Sequence, residues 1–131
     1  MEVYMKTPTT LKYSKTHEWV RVMDDGIVEI GITDFAQSEL GSLVFVNLPD
    51  EGDEVESGEA FGDVESVKAV SDVISPVSGV VAEVNEVLLD HPEMINDSPY
   101  EAWIIRVSDI TSEEELLDAE AYDQFCETEG S

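Results

Sequence analysis

The chain has 131 residues, enough for one domain with a modest core, and sets 31 acidic residues against six Lys and Arg, a formal net charge of −25. That charge excludes nucleic acid and anionic membrane surfaces as partners, because either would be repelled. With 42% apolar residues and clear periodicity the chain is not disordered. The excess of carboxylates reads instead as a halophilic trait, since a Debye length of roughly 3 Å at molar salt lets surface charges crowd.

The N-terminal MEVYMKTPTTLKYSK has no apolar core and no cleavage pattern, so it does not read as a signal peptide. EWVRV (18–22) and GIVEIGIT (26–33) flank the turn signal Asp24-Asp25-Gly26 and predict a hairpin. In the second run Val28, Ile30 and Ile32 alternate with Glu29 and Gly31, the period of a half-buried strand. DFAQSELG predicts a two-turn helix capped by Asp34, with Gln37 completing a capping box and Gly41 ending it. SLVFVNLP (42–49) reads as a more fully buried strand. Short strands follow in DEVE, AFGDVES, AVSDVISP and SGVVAEVN, punctuated by Gly52, Gly58, Gly62, Pro76 and Gly79. YEAWIIRV (100–107) predicts a last strand with Trp103, Ile105 and Val107 on one face. Ser112 and Glu115 then form a capping box, and Leu116, Ala119, Tyr122 and Phe125 recur at helical spacing before a frayed end. No linker interrupts the chain, so residues 1–131 are expected to form one domain, with about ten frayed residues at the start and about five at the end. The fold class is mostly β, a small barrel or sandwich with short helices. Cys126 is the only cysteine, which fits a reducing, cytoplasmic setting.

The sequence offers little catalytic chemistry. His17 and His91 lie far apart without ligand-spaced partners, so no metal site is expected. DEGDEVESGE lacks the twelve-residue calcium-loop pattern and reads as a solvated acidic loop. No nucleophile–base pattern or phosphate loop is present. What remains is Lys68 in ESVKAVSDV (65–73), the only positive charge between Arg21 and Arg106. Small or polar Ser66, Ala69 and Ser71 flank it, and Val64, Val67, Val70 and Val73 supply strand character on either side. A hairpin with Lys68 at its tip would hold the amine out in solvent, where other proteins can read and modify it. A Schiff-base lysine instead needs an apolar or cationic pocket.

ESVKAVSDVISPVSGVVAEVN resembles the lipoyl-attachment segment of the glycine cleavage system H protein family. YSKTHEWV (13–20), GITDFAQSELGSLVFVNLP (31–49) and NDSPYEAW (96–103) match the same family in order, so the resemblance runs from about residue 11 to about 127. It implies a barrel-sandwich hybrid with short peripheral and C-terminal helices, and lipoic acid in amide linkage on Lys68. It implies a carrier, not an enzyme. The lipoyl group would take an aminomethyl group from a pyridoxal-phosphate glycine decarboxylase to a tetrahydrofolate-dependent aminomethyltransferase, and dihydrolipoyl dehydrogenase would reoxidise it. Lipoate-attaching enzymes would be further partners. The resemblance also implies a cleft for the loaded arm, with Glu18, Asp72 and Thr16 as its residues. Carboxylates suit a cationic amine through charge-assisted hydrogen bonds. His17 is expected to be structural.

The chain departs from the family pattern twice. Thr16 stands where the family usually has Ser, and SPYEAW is one residue shorter than SPYE-x-GW. Rival readings are a biotinyl domain, disfavoured because Val67 and Ala69 replace the flanking methionines, and an acyltransferase lipoyl domain, which lacks the HEWV start and helical tail. Others are a related protein that relays lipoate to other enzymes, an enzyme using Lys68 as a Schiff-base nucleophile, and an unmodified scaffold.

Overall fold

The computed structural model describes residues 7–129, the last through its backbone only. The fraying expected at residues 1–6 and 130–131 therefore lies outside the described residues. Strands β1 (Lys12–Tyr13) and β2 (Glu18–Val22) precede β3 (Val28–Ile32), and helix α1 (Asp34–Leu40) leads to β4 (Leu43–Asn47). Strands β5 (Glu54–Val55), β6 (Ala60–Ser66), β7 (Val70–Ile74) and β8 (Val77–Val84) follow. Two one-turn helices, α2 (Val87–Asp90) and α3 (Met94–Asp97), lead to β9 (Ile105–Glu113) and α4 (Ala119–Glu129).

The strands form two sheets, one in the order β1-β2-β3-β9-β8-β5 and one in the order β4-β6-β7. Their facing sides share one apolar cluster, with Val20, Ile30, Ile32, Ile105 and Val107 from the large sheet and Leu43, Val46, Val64 and Val73 from the small one. A second cluster under α4 gathers Leu11, Tyr13, Trp19, Tyr100, Ala119 and Tyr122. The result is the mostly β, two-sheet architecture with peripheral helices that the strand pattern and the resemblance imply.

The β2–β3 hairpin forms as expected, turning at Asp25 and Gly26, both at positive φ, with Glu18 opposite Ile32 and Val22 opposite Val28. Its alternation does not leave one face wet. All five residues of β3 are buried, Glu29 and Gly31 included. Gly31 lies opposite Trp19, and a Cβ there would come within 2.6 Å of the indole, so only glycine lets that ring lie flat against the strand.

Local expectations fail where tertiary pairing decides. The cap of α1 is Thr33, whose hydroxyl accepts from Ala36 N–H at 3.2 Å, while Asp34 accepts from the Gln37 amide at 2.7 Å. Strand β4 is only half-buried, because one face of the small sheet meets the core and Val44 and Phe45 stay exposed beside a bulge. The last strand begins at Ile105 instead of residue 100 and runs on to Glu113, since β8 supplies pairing partners as far as Val77 opposite Glu113. Ser112 therefore lies in a strand and bonds Ser78, and the start of α4 is bonded instead by Asp118, which accepts from Ala121 N–H at 2.9 Å.

Candidate functional site

Lys68 lies in the turn that joins β6 to β7. Glu65 pairs with Val70, and Ser66 N–H donates to Ala69 C=O at 2.8 Å, which leaves Val67 and Lys68 at the tip. Ser66 stiffens the turn from within, its hydroxyl accepting from Lys68 N–H at 3.3 Å and Ala69 N–H at 3.1 Å. The neighbouring Val67 is 87% exposed, so nothing covers the tip. Lys68 is exposed and makes no ion pair with any described residue. Its stem runs beside Gly41 at the end of α1, where a Cβ would sit 3.7 Å from Lys68 Cε. Asn96 braces that corner, accepting from Leu43 N–H at 2.9 Å and donating to Gly41 C=O at 2.8 Å.

Glu18 is the first residue of β2 and is only 1% exposed. Its Oε1 accepts from the Ser14 hydroxyl at 2.7 Å and from the Thr16 hydroxyl; its Oε2 accepts from Ile74 N–H at 3.1 Å. The last bond crosses between sheets, because β7 is the edge of the small sheet and Glu18 belongs to the large one. No cation among the described residues pairs with it. Burial raises its pKa to about 7, against the lowering effect of the Thr16, Ser14 and Ile74 hydrogen bonds, and the charge of Glu114 raises it further. A carboxyl poised this way ionises readily once a cation arrives beside it.

Thr16 and Glu18 are thus brought together, and Asp72 is placed apart from their hydrogen bonds. Asp72 is exposed on β7, opposite Asp63, two residues before the Ile74 that Glu18 holds. Thr16 is itself exposed and borders a shallow pocket of about 220 Å³ with Lys15, Glu114 and Glu115, and its hydroxyl links that pocket's edge to the buried carboxyl. His17, between Thr16 and Glu18, adopts φ 75°, and this left-handed corner lets both neighbours turn toward one point. Its ring stacks on Phe35 at 4.8 Å, and its Nδ1 lies 2.7 Å from the Tyr122 hydroxyl, which also lies 2.7 Å from Thr33 Oγ1. His17 therefore ties the corner to α4, the structural part expected of it.

Sequence reasoning missed Ser14 and the Ile74 amide. Neither has a signal in periodicity: Ser14 reaches Glu18 across a turn, and a main-chain N–H has no residue type.

Two facing sheets that display an exposed lysine at a hairpin tip define a carrier domain of the lipoyl, barrel-sandwich type. The family model of the glycine cleavage H-protein matches residues 11–129, and the chain belongs to that family. It is 60% identical over 125 residues to the glycine cleavage system H protein of Lachnoclostridium phytofermentans, covering 95% of this chain and 98% of that one. The H protein of Halalkalibacterium halodurans is 59% identical over 125 residues, covering 93% and 97%. The crystal structure of a glycine cleavage system H protein from Mycobacterium marinum superposes with a TM-score of 0.84 at 41% identity, over 95% of this chain and 99% of that one. Proteins of this family carry lipoate covalently on a lysine and act as non-catalytic carriers in the glycine cleavage system.

Proposed function

We propose that Lys68 is the lysine that carries lipoate, and that Glu18, Thr16 and Asp72 receive the amine end of the loaded arm. The observation that carries this reading is the Lys68 turn: an exposed amine at a braced tip, without an ion pair to any described residue, with small Ser66 and Ala69 nearby that leave an attaching enzyme room. These residues fit the group, since an amide to Lys68 Nζ breaks no hydrogen bond or ion pair with the described residues. Lipoate, when attached, supplies a disulfide that takes up an aminomethyl group and passes it on. The chain's own residues do the rest. The β6–β7 turn holds the attachment point away from the core, and the lysine stem gives reach. Glu18 offers a buried carboxylate to a cationic amine, Thr16 steers its approach, and Asp72 adds a second negative charge on the same strand as Ile74.

The partners are the decarboxylase, the aminomethyltransferase and the dihydrolipoyl dehydrogenase of the glycine cleavage system, together with lipoate-attaching enzymes that read the Lys68 turn. The whole chain is proposed to act as one domain, supported by the core that both sheets share. Intact mass and peptide mapping of protein from cells with active lipoylation test the assignment. Lipoate on Lys68 and on no other lysine is expected, and Lys68→Arg should keep the fold and lose carrier activity. A bare Lys68 in such cells would refute it.

We further propose a salt-rich cytoplasm as the working environment. The formal charge of −25 supports it, as does the commitment of both arginines to one glutamate, which leaves little cation to offset the rest. A pair of like charges 10 Å apart at an effective dielectric of about 40 repels by roughly 0.8 kcal/mol, and many such pairs rival a marginal stability of about 5–15 kcal/mol. The melting midpoint should climb steeply from dilute buffer to molar potassium chloride. A flat midpoint would remove this part of the proposal and leave the carrier role intact.

A further inference from the structure

Ser14, between β1 and β2, is 1% exposed and is bonded to Glu18 at three different atoms. Its N–H donates to Glu18 C=O at 2.9 Å, its Oγ accepts from Glu18 N–H at 3.0 Å, and its hydroxyl donates to Glu18 Oε1 at 2.7 Å. Its own carbonyl accepts from His17 N–H at 3.1 Å, which closes the left-handed corner. The first bond and the last are main-chain pairings that alanine would keep. The hydroxyl bonds would be lost.

A carboxylate offers about four lone-pair directions. Two of them, on Oε1, are filled by the Ser14 and Thr16 hydroxyls, and one on Oε2 by Ile74 N–H. On Oε2 the Ile74 N–H is the one donor among the described residues. A primary ammonium that delivers a single N–H matches the accepting capacity of that oxygen. We propose that Ser14 is a positioning residue for the amine cargo, fixing Glu18 through Oε1 and leaving accepting capacity on Oε2 for the cation; this deepens the reading of the Glu18 site and rests on it.

Ser14 suits the task better than Thr16 does. Thr16 is exposed and borders the pocket, so solvent and cargo compete for its hydroxyl. Ser14 is sealed from solvent, and besides the Thr16 hydroxyl at 3.2 Å its Oγ meets only atoms of Glu18 among the described residues, the carboxylate at 2.7 Å being nearer than the carbonyl at 3.4 Å. The charge that acts on the carboxyl is that of Glu114, which with Lys15 and Glu115 surrounds the pocket Thr16 borders; the His17 ring is adjacent in sequence, and from β7 the Ile74 main chain reaches the carboxyl. The negative charge of Glu114 works against ionisation, so neutral donors must hold the charged form until the amine binds.

The test is a carbon-13 titration of the Glu18 side-chain carboxyl in the unlipoylated chain. Ser14→Ala should raise the midpoint by about one unit, a tenfold gain in proton affinity, with the amide pattern of β1 and β2 unchanged. Ser14→Thr, which keeps the hydroxyl, should restore most of that shift. A second measurement needs no variant: the Ser14 Cβ resonance of the unaltered chain should titrate with the Glu18 midpoint. An unmoved Glu18 midpoint in folded Ser14→Ala, or a Ser14 resonance flat through the Glu18 transition, overturns the proposal. On the lipoylated chain, retention of the amine-loaded arm separates the two readings. Unchanged retention in Glu18→Gln removes the site and the proposal with it. Shortened retention in Glu18→Gln, with unchanged retention in Ser14→Ala, leaves the site and overturns the role of Ser14.

Discussion

Glu18 and Glu29 lie on the two strands of one hairpin, both nearly sealed from solvent, and the chain meets the cost of burying them in opposite ways. Glu29 lies between Arg21, with Nη1 2.5 Å from Oε1, and Arg106, with Nη2 2.9 Å from Oε2. Arg106 also reaches Glu83 at 2.9 Å, so a row of alternating charges crosses β2, β3, β9 and β8. Each arginine lies over an indole, Arg21 over Trp19 and Arg106 over Trp103. Glu18 has two hydroxyls and one main-chain N–H instead. A buried carboxylate with cations on both sides is complete and can do nothing further. One held by neutral donors alone retains an unmet demand for positive charge, which is what a site for a cationic amine requires.

The contrast can be broken at either end. The largest effect should come from Glu29→Gln, which leaves two guanidinium groups facing each other across a neutral amide. A loss of about 3 kcal/mol is expected, the low end for removing one partner of a buried charge cluster because both guanidinium groups keep contact with water, read as the shift of the urea midpoint. If Glu29→Gln were as stable as the parent, the charge row would be ornamental and the contrast with Glu18 empty.

Glu18→Gln should do the reverse. The folded-state pKa of Glu18, about 7, lies above the ordinary value of 4.5, so the folded chain holds a proton more tightly than the unfolded one. Between those two values the stability from this group falls as pH rises; it is fully present below about 4.5 and lost above about 7. The neutral amide does not incur that loss. Glu18→Gln should therefore be more stable than the parent at pH 8, by about 1–3 kcal/mol, with the gap narrowing toward pH 5. Paired denaturation curves at the two pH values check it, and a gap that widens on acidification would reverse the assignment.

The smallest effect belongs to Glu83→Gln at the exposed end of the row. Exposed ion pairs contribute about 0–1 kcal/mol, so its melting midpoint should stay close to the parent's, most clearly in high salt. A loss matching that of Glu29→Gln would show the row acting as one unit.

Much of this was legible in the residues. The β2–β3 hairpin follows from Asp24-Asp25-Gly26 between two alternating runs, and the turn around Lys68 from small residues between valine-rich flanks. The two glutamates were not legible. Glu29 has the spacing of a solvent-facing residue, and local alternation places it outward. Arg21 across the hairpin supplies one matching charge, and Arg106, 77 residues downstream, supplies the second and helps to cover that face. Glu18 stood out only through the family resemblance, and nothing in its neighbours in sequence announced its burial or its bond to Ile74.

The sequence by itself determined the mostly β pattern, the family, the isolated lysine and the acidic excess. These are properties of residue type, short-range period and composition, which need no partner to be read. Tertiary structure decided which carboxylates are buried, which residues bond the starts of α1 and α4, and where the last strand stops. It drew β9 through Ser112, against a good helix-start signal, because the long strand β8 had main-chain groups to satisfy. It also set Ser14, Thr16 and the Ile74 amide around one glutamate. The physical reason is the same in each case. Burial and hydrogen bonding depend on what the chain brings alongside from elsewhere, and segments 34 to 77 residues apart leave no local trace of having met.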